Sequence, residues 1–149
     1  MTYPPPPCPA DVRQALADLV TAYAMAVDDI GNAAGVASLF TPDGCYDLTS
    51  LGMDRIVGRA GIQGFFEAAF ATMASNAHFL GNVALGAYDA AAGTAQVTAY
   101  GHAFSLGTDG TLLEVKARYA FDLAQHEGAW RIARLGMTML LPPVTTPAP

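Results

Sequence analysis

Residues 112–124 read LLEVKARYAFDLA. Leu113, Val115, Ala117, Tyr119, Phe121 and Leu123 occupy alternate positions, and Glu114, Lys116, Arg118 and Asp122 stand between them. An extended chain sends successive side chains to opposite faces, so a period of two means one apolar face and one wet face. That is an antiparallel strand half covered by a core. The same period recurs at about 79–88, at 94–106 and again from Ala129. The breaks are DAAAG, GTDG and HEG, which carry the residues that turn hairpins. Four strands in series form a meander. Shorter strands near 45–50 and 54–57 are expected to add a hairpin to the same sheet.

Upstream the period becomes helical. From Ala10 to Ile30 the apolar residues Val12, Leu16, Leu19, Val20, Tyr23 and Val27 recur at three and four, the spacing of one helix face. Pro9 and Asp11 suit its first turn. A second, short helix fits AAGVASLF and stops at TPDG, a strong turn signal. A third fits AGIQGFFEAAFATMA, with Ile62, Phe65, Phe66 and Phe70 on one side. Helices segregated from an antiparallel sheet make an α+β domain. A strongly curved antiparallel or mixed sheet, closed by about three helices, would enclose an apolar cavity. Residues 1–9 are expected to be a proline-rich arm, extended at Pro4–Pro7. Residues 10–141 form the single domain, and 142–149 a loose tail.

The chain has 149 residues, 52% hydrophobic and only 13% charged, about half the usual charged share. So little charge cannot coat a whole surface, which predicts burial between copies, as a homodimer or larger assembly, or around an internal cavity. The net charge of −6 and the single lysine, Lys116, exclude nucleic acid and anionic membrane as partners, since both need a basic patch. No apolar run is long enough to span a bilayer. Cys8 and Cys45 form neither a CxxC motif nor a disulfide framework, in keeping with a reducing compartment. The N-terminus lacks the basic and apolar regions of a signal peptide, so a cytoplasmic location is expected. Histidine spacings match no metal motif, and no glycine-rich phosphate loop or nucleophile elbow occurs. No cofactor is expected.

The stretches LVTAYAMAVDDIGNAAGVASLFTPDGCYD, VGRAGIQGFF, AHFLGN and YAFDLAQHEGAWRIARLGM, in that order, resemble the SnoaL-like branch of the nuclear transport factor 2-like superfamily. The resemblance implies a cone-shaped α+β barrel. It implies no single activity, because the scaffold carries dehydratases, isomerases, epoxide hydrolases, cyclases and plain binding modules. At the sites it is similar to scytalone dehydratase and hexachlorocyclohexane dehydrochlorinase, which place an aspartate near the end of the first helix and a histidine before the meander. Those positions are Asp28 in AVDD and His78 in AHFLGN, and the resemblance makes them a catalytic dyad. The base of ketosteroid isomerases would fall at Leu48, with Asp47 one place off and on the opposite face. AYGHAFSL has no aspartate or arginine for an epoxide-hydrolase arrangement.

Such a pair suits general acid-base catalysis. Imidazole titrates near neutral pH and can take a proton from an activated carbon. A carboxylate on its other nitrogen fixes the tautomer and stabilises the imidazolium. Loss of a leaving group from the next carbon completes an elimination without a cofactor. Asp28 lies about 130° from the middle of the apolar stripe at 3.6 residues per turn, in the last helical turn, where a negative charge is unfavourable. It needs a partner, and His78 is the candidate; Asp29 points still further away. Tyr23, Tyr46 and His102 are candidate substrate contacts, with Phe66 and Met53 as cavity wall. His102 shares its strand face with Gln96, Thr98, Tyr100 and Phe104, opposite Ala95, Val97, Ala99, Gly101 and Ala103. If the Ala/Gly row packs on a helix, His102 faces the open side. The sequence thus predicts a cofactor-independent lyase, of dehydratase or related type, for a hydrophobic aromatic or alicyclic small molecule. The same dyad also serves carbon–carbon cleavage of the deformylation type, double-bond isomerisation and cyclisation. A non-catalytic binding or oligomerisation module is the alternative from another class.

Overall fold

The chain order is α1 (Ala10–Asp28), α2 (Ala33–Ser38), β1 (Phe40–Asp47), a 3-10 turn (Thr49–Leu51), β2 (Arg55–Val57), α3 (Arg59–Phe70), β3 (Met73–Asp89), β4 (Thr94–Gly107), β5 (Leu112–His126), β6 (Ala129–Met139) and β7 (Val144–Thr146). The structure, a computed structural model, describes residues 5–148. The strands form one sheet in the order β2-β1-β6-β5-β4-β3, with β7 on β5. β1 runs parallel to β6 and every other pairing is antiparallel. The sheet is thus mixed, and it curls as a cone that does not close. Among the described residues no helix is long and apolar enough to cross a membrane.

The inner face of the sheet is the apolar row of each strand. Ala117, Tyr119, Phe121 and Leu123 of β5 are buried together with Ala95, Val97 and Ala99 of β4 and Ile132 and Leu135 of β6. Leu16, Leu19, Val20, Tyr23 and Val27 of α1 pack on them, as do Ile62, Phe66 and Phe70 of α3. These positions on α1 and α3 recur at three and four, so each helix turns one stripe to the sheet. α2 is capped by Asn32, whose side chain accepts from the Gly35 amide at 2.9 Å, satisfying one of the free donors at a helix start.

Three segments depart from the sequence expectation. TPDG does not separate α2 from the sheet; it lies inside β1 as an irregularity, where β1 advances from Phe40 to Cys45 while β6 advances only from Ile132 to Arg134. Gly44 permits it, since a Cβ there would stand 2.9 Å from the Phe40 Cβ and 3.1 Å from the Ile132 carbonyl oxygen. The helical pattern read through residue 74 ends at Phe70, because the chain from Met73 is claimed by the ladder with β4, beginning Met73↔Gly107, and tertiary pairing overrides local propensity. β3 therefore starts before His78 and carries it within the strand. In the tail, Val144–Thr146 pair with Leu112–Glu114 of β5, so this part of 142–149 is ordered by an edge that β6 leaves free. Of the proline-rich arm, residues 1–4, Pro4 included, lie outside the described residues. Pro5–Pro9 have no regular structure.

Candidate active site

A cavity of about 620 Å³ lies between the inner face of the sheet and the helices. α3 supplies Phe65, Phe66, Ala69 and Phe70; β1 and the turn after it supply Tyr46, Leu48, Ser50, Leu51 and Met53. Tyr23 and Val27 come from α1, Tyr119 and Val115 from β5, and Met137 and Met139 from β6. Tyr46 stacks on Phe66 at 5.5 Å and meets Phe65 edge-on at 5.6 Å, which gives one wall a set of aromatic planes. Leu51, Met53, Leu113 and Pro143, all exposed, mark the mouth. Among the described residues no lysine or arginine lines the cavity.

His78 and Asp28 meet at one end of this space. Asp28 closes α1 and His78 faces inward from β3. Asp28 Oδ1 lies 2.6 Å from His78 Nδ1, and Asp28 Oδ2 accepts from the His78 backbone N–H at 2.9 Å. One carboxylate therefore grips both the ring and the backbone of the same residue. It fixes the ring orientation and assigns the proton to Nδ1, leaving Nε2 as the lone-pair nitrogen. No residue among those described hydrogen-bonds Nε2, and the ring borders the cavity. The dyad is partly buried, the side chains 14% and 25% exposed for His78 and Asp28. Asn76, two residues earlier on the same face of β3, donates from Nδ2 to the Val27 carbonyl at 3.1 Å. This ties β3 to the last turn of α1 and so holds the two halves of the dyad together. Asp29, the alternative carboxylate, is exposed and accepts from Asn32 Nδ2 at 3.0 Å.

Tyr23 and Tyr46 both reach the cavity, with their hydroxyls 3.4 Å apart and Tyr23 donating. Burial pushes both phenols above their usual range, Tyr23 the further because Tyr46 and Tyr119 adjoin it. Phe66 and Met53 also line the space, Phe66 buried and Met53 at the mouth. His102 does not. It belongs to the outer face of β4, its side chain 43% exposed and its Nε2 2.6 Å from Glu114 Oε1. Glu114 also accepts from Lys116 Nζ at 2.6 Å, and first Lys116, then His102, hold its carboxyl below the usual range. The inner row of β4 is instead Ala95, Val97, Ala99, Gly101 and Ala103, since only small side chains leave room beneath the helices and the β5 aromatics.

Leu48 faces the cavity, while Asp47 points away and is 3% exposed. Asp47 accepts from the Thr49 hydroxyl at 2.6 Å, from the Thr49 amide at 3.0 Å and from Arg134 and Arg55. Thr49 foremost, then Arg134, keep its carboxyl well below the usual range, so it is a fixed anion of an ion-pair network and not a base. Among the described residues no group of three or more His, Cys, Asp or Glu is arranged to hold a metal.

Two cavity residues escape a reading of the sequence. In the alternating pattern Tyr119 counts as one more core residue, and Asn76 lies between the helical pattern that ends at residue 74 and the alternation that begins at about 79. The only signal for Tyr119 is the run of small residues on the neighbouring strand, which leaves space above it.

The model of a family described as the SnoaL-like domain matches residues 9–136. No curated protein matches the sequence at a significant level. Among solved structures, a Novosphingobium aromaticivorans protein provisionally called an aromatic ring hydroxylase is 38% identical, with 94% of this chain and 96% of that chain covered and a TM-score of 0.89. A protein of the same organism provisionally called a scytalone dehydratase is 16% identical, with 93% and 89% covered and a TM-score of 0.79. Hexachlorocyclohexane dehydrochlorinase type 3 of Novosphingobium barchaimii is 17% identical, with 92% and 90% covered and a TM-score of 0.76. At 16% and 17% the likeness is one of fold.

Proposed function

The chain belongs to the SnoaL-like domain family, and on that premise we propose that it is a cofactor-independent lyase. Its substrate is a neutral aromatic or alicyclic molecule that loses water or another small leaving group. The observation that carries this is the doubly bonded Asp28–His78 pair, with Nε2 free beside an apolar, uncharged cavity. His78 Nε2 takes a proton from a carbon made acidic by a neighbouring carbonyl. Asp28 stabilises the imidazolium as it forms. Tyr23 donates to Tyr46, which leaves the Tyr46 proton free for the carbonyl oxygen on which charge develops, in a site where water does not compete. The imidazolium then returns its proton to the departing group. The 38% identical relative, by its provisional name, lends support to an aromatic occupant.

A neutral bicyclic β-hydroxyketone, a hydroxytetralone, is a direct test, because its dehydration ends in a fluorescent naphthol. The wild-type protein accelerates this loss of water, and a folded His78→Ala variant loses about 10³-fold or more of that rate. Unchanged turnover in that variant refutes the mechanism.

A further inference from the structure

Of the three phenols that border the cavity among the described residues, two hydrogen-bond each other and the third has no such partner among them. We propose that this third phenol, Tyr119, donates a hydrogen bond to the oxygen that leaves the substrate, and that Gly101 positions it by having no side chain. The proposal rests on the proton-transfer role of His78 and Asp28.

Tyr119 is 3% exposed and faces inward from β5, opposite Ala99 of β4. Its ring does not stand over Ala99 alone. It leans across the neighbouring Gly101, where a Cβ would overlap Cε2 outright and come within 2.8 Å of Cδ2. The same Cβ would stand 2.8 Å from Leu80 Cδ2 on β3. Gly101 pairs with Leu80, and His78 lies two residues before Leu80 on the same face. The gap at Gly101 therefore lets a residue of β5 reach across β4 towards the strand that carries the base.

A phenol hydroxyl that borders a cavity can take a ligand as its hydrogen-bond partner. Tyr23 and Tyr46 have each other; the Tyr119 hydroxyl has none among the described residues and borders the cavity. Burial, then Tyr46, then Asp28 push its phenol well above the usual range. The shift keeps it protonated, as a donor must be. In the elimination the carbon's proton goes to His78 Nε2, and its bonding pair becomes the new double bond. The carbon–oxygen bond breaks, His78 returns the proton to that oxygen, and water leaves. Tyr119 keeps its own proton throughout and lowers the charge on the oxygen while its bond breaks. The arrangement selects a hydroxyl leaving group over a halide, which gains less from a donor.

The experiment compares hydroxytetralone with the matching chlorotetralone, in wild type, Tyr119→Phe and Gly101→Ala. Tyr119→Phe should lower kcat/KM for the hydroxyketone about 10²-fold and for the chloroketone by no more than about threefold. Gly101→Ala should reproduce that selective loss with the phenol still present. Equal losses on both ketones, or none on either, overturn the proposal. A second arm needs no turnover: calorimetry of tetralol, which has the hydroxyl but cannot eliminate, against tetralin, which lacks it. The preference for tetralol should fall about tenfold in Tyr119→Phe, and an unchanged preference overturns the hydroxyl contact. A wild-type protein inert towards both ketones refutes the dyad and with it the leaving-oxygen role, and the calorimetric preference alone then decides the contact.

Discussion

Replacing Asp28 by asparagine keeps the shape of the side chain and removes its charge. The two bonds of the carboxylate respond differently. The oxygen of the amide still accepts from the His78 backbone N–H, the 2.9 Å contact. The amide nitrogen then occupies the place of Oδ1, 2.6 Å from Nδ1, and it donates. Nδ1 must accept, so the ring proton moves to Nε2 and covers the lone pair that faces the cavity. A hydrogen bond to a charged group contributes about 1.5–3 kcal/mol, which at 1.36 kcal/mol per decade accounts for about one to two decades of rate. The wrong tautomer takes the loss to about 10⁴-fold. Stability changes far less. The lost charge-assisted bonding costs about 1–2 kcal/mol, while removing an anion from the last turn of α1 recovers about 0.3–1 kcal/mol. The net of about 1 kcal/mol lowers Tm by about 2–4 °C in a chain of this size. The assay is naphthol fluorescence from hydroxytetralone, alongside a circular dichroism melt. Turnover within about threefold of wild type, in a variant that melts as expected, refutes the assignment of Asp28.

Leu135→Ala, at a side chain with 0% exposure in the centre of β6, should destabilise by about 2–5 kcal/mol, read from the urea midpoint; a loss below that range would mean that the core closes over the gap. Because Thr49 and Arg134 hold Asp47 below the usual carboxylate range, its stabilisation is fully present above about pH 4 and is lost as the pH falls towards its folded value. Asp47→Asn should therefore flatten the fall of stability below about pH 4, and an unchanged acid limb contradicts the assignment. His102→Ala, on the outer face, should leave hydroxytetralone turnover within about twofold of wild type, the usual reach of a surface change. A drop of more than about tenfold would put His102 back in the chemistry.

The meander was the most legible part of the fold, because every second residue of β5 from Leu113 to Leu123 is apolar. The alternation does not say which face is inside. In β4 two rows were available, and only the helices and the β5 aromatics decide that the Ala/Gly row is covered and His102 is not. Local signals failed where long-range pairing claims the chain: TPDG has the composition of a turn but is held in β1 by β6, and Met73 and Ala74 fit the helical pattern but belong to β3, which pairs with β4. The positions of Asp28 and His78 were legible through resemblance, and their contact came from the fold. The offset of Asp28 from the apolar stripe is what lets it turn to β3 while Val27 and Tyr23 stay in the core. Tyr119 and Asn76 could not be singled out, since one depends on a gap in the next strand and the other on a free carbonyl at the end of α1.

The parallel pairing of β1 with β6 has a consequence for how the chain folds. Everything from β3 to β6 can zip up from local hairpins, each turn bringing neighbours together with little loop to close. β1 must wait for β6, with the third helix and the first three strands of the meander between them, and contacts of such wide sequence separation form slowly. Tyr46 and Leu48 stand on one side of that seam and Met137 and Met139 on the other. The cavity therefore exists only once β6 is in place. A nascent or C-terminally shortened chain exposes the apolar walls of the site, and for that interval they are sticky surface.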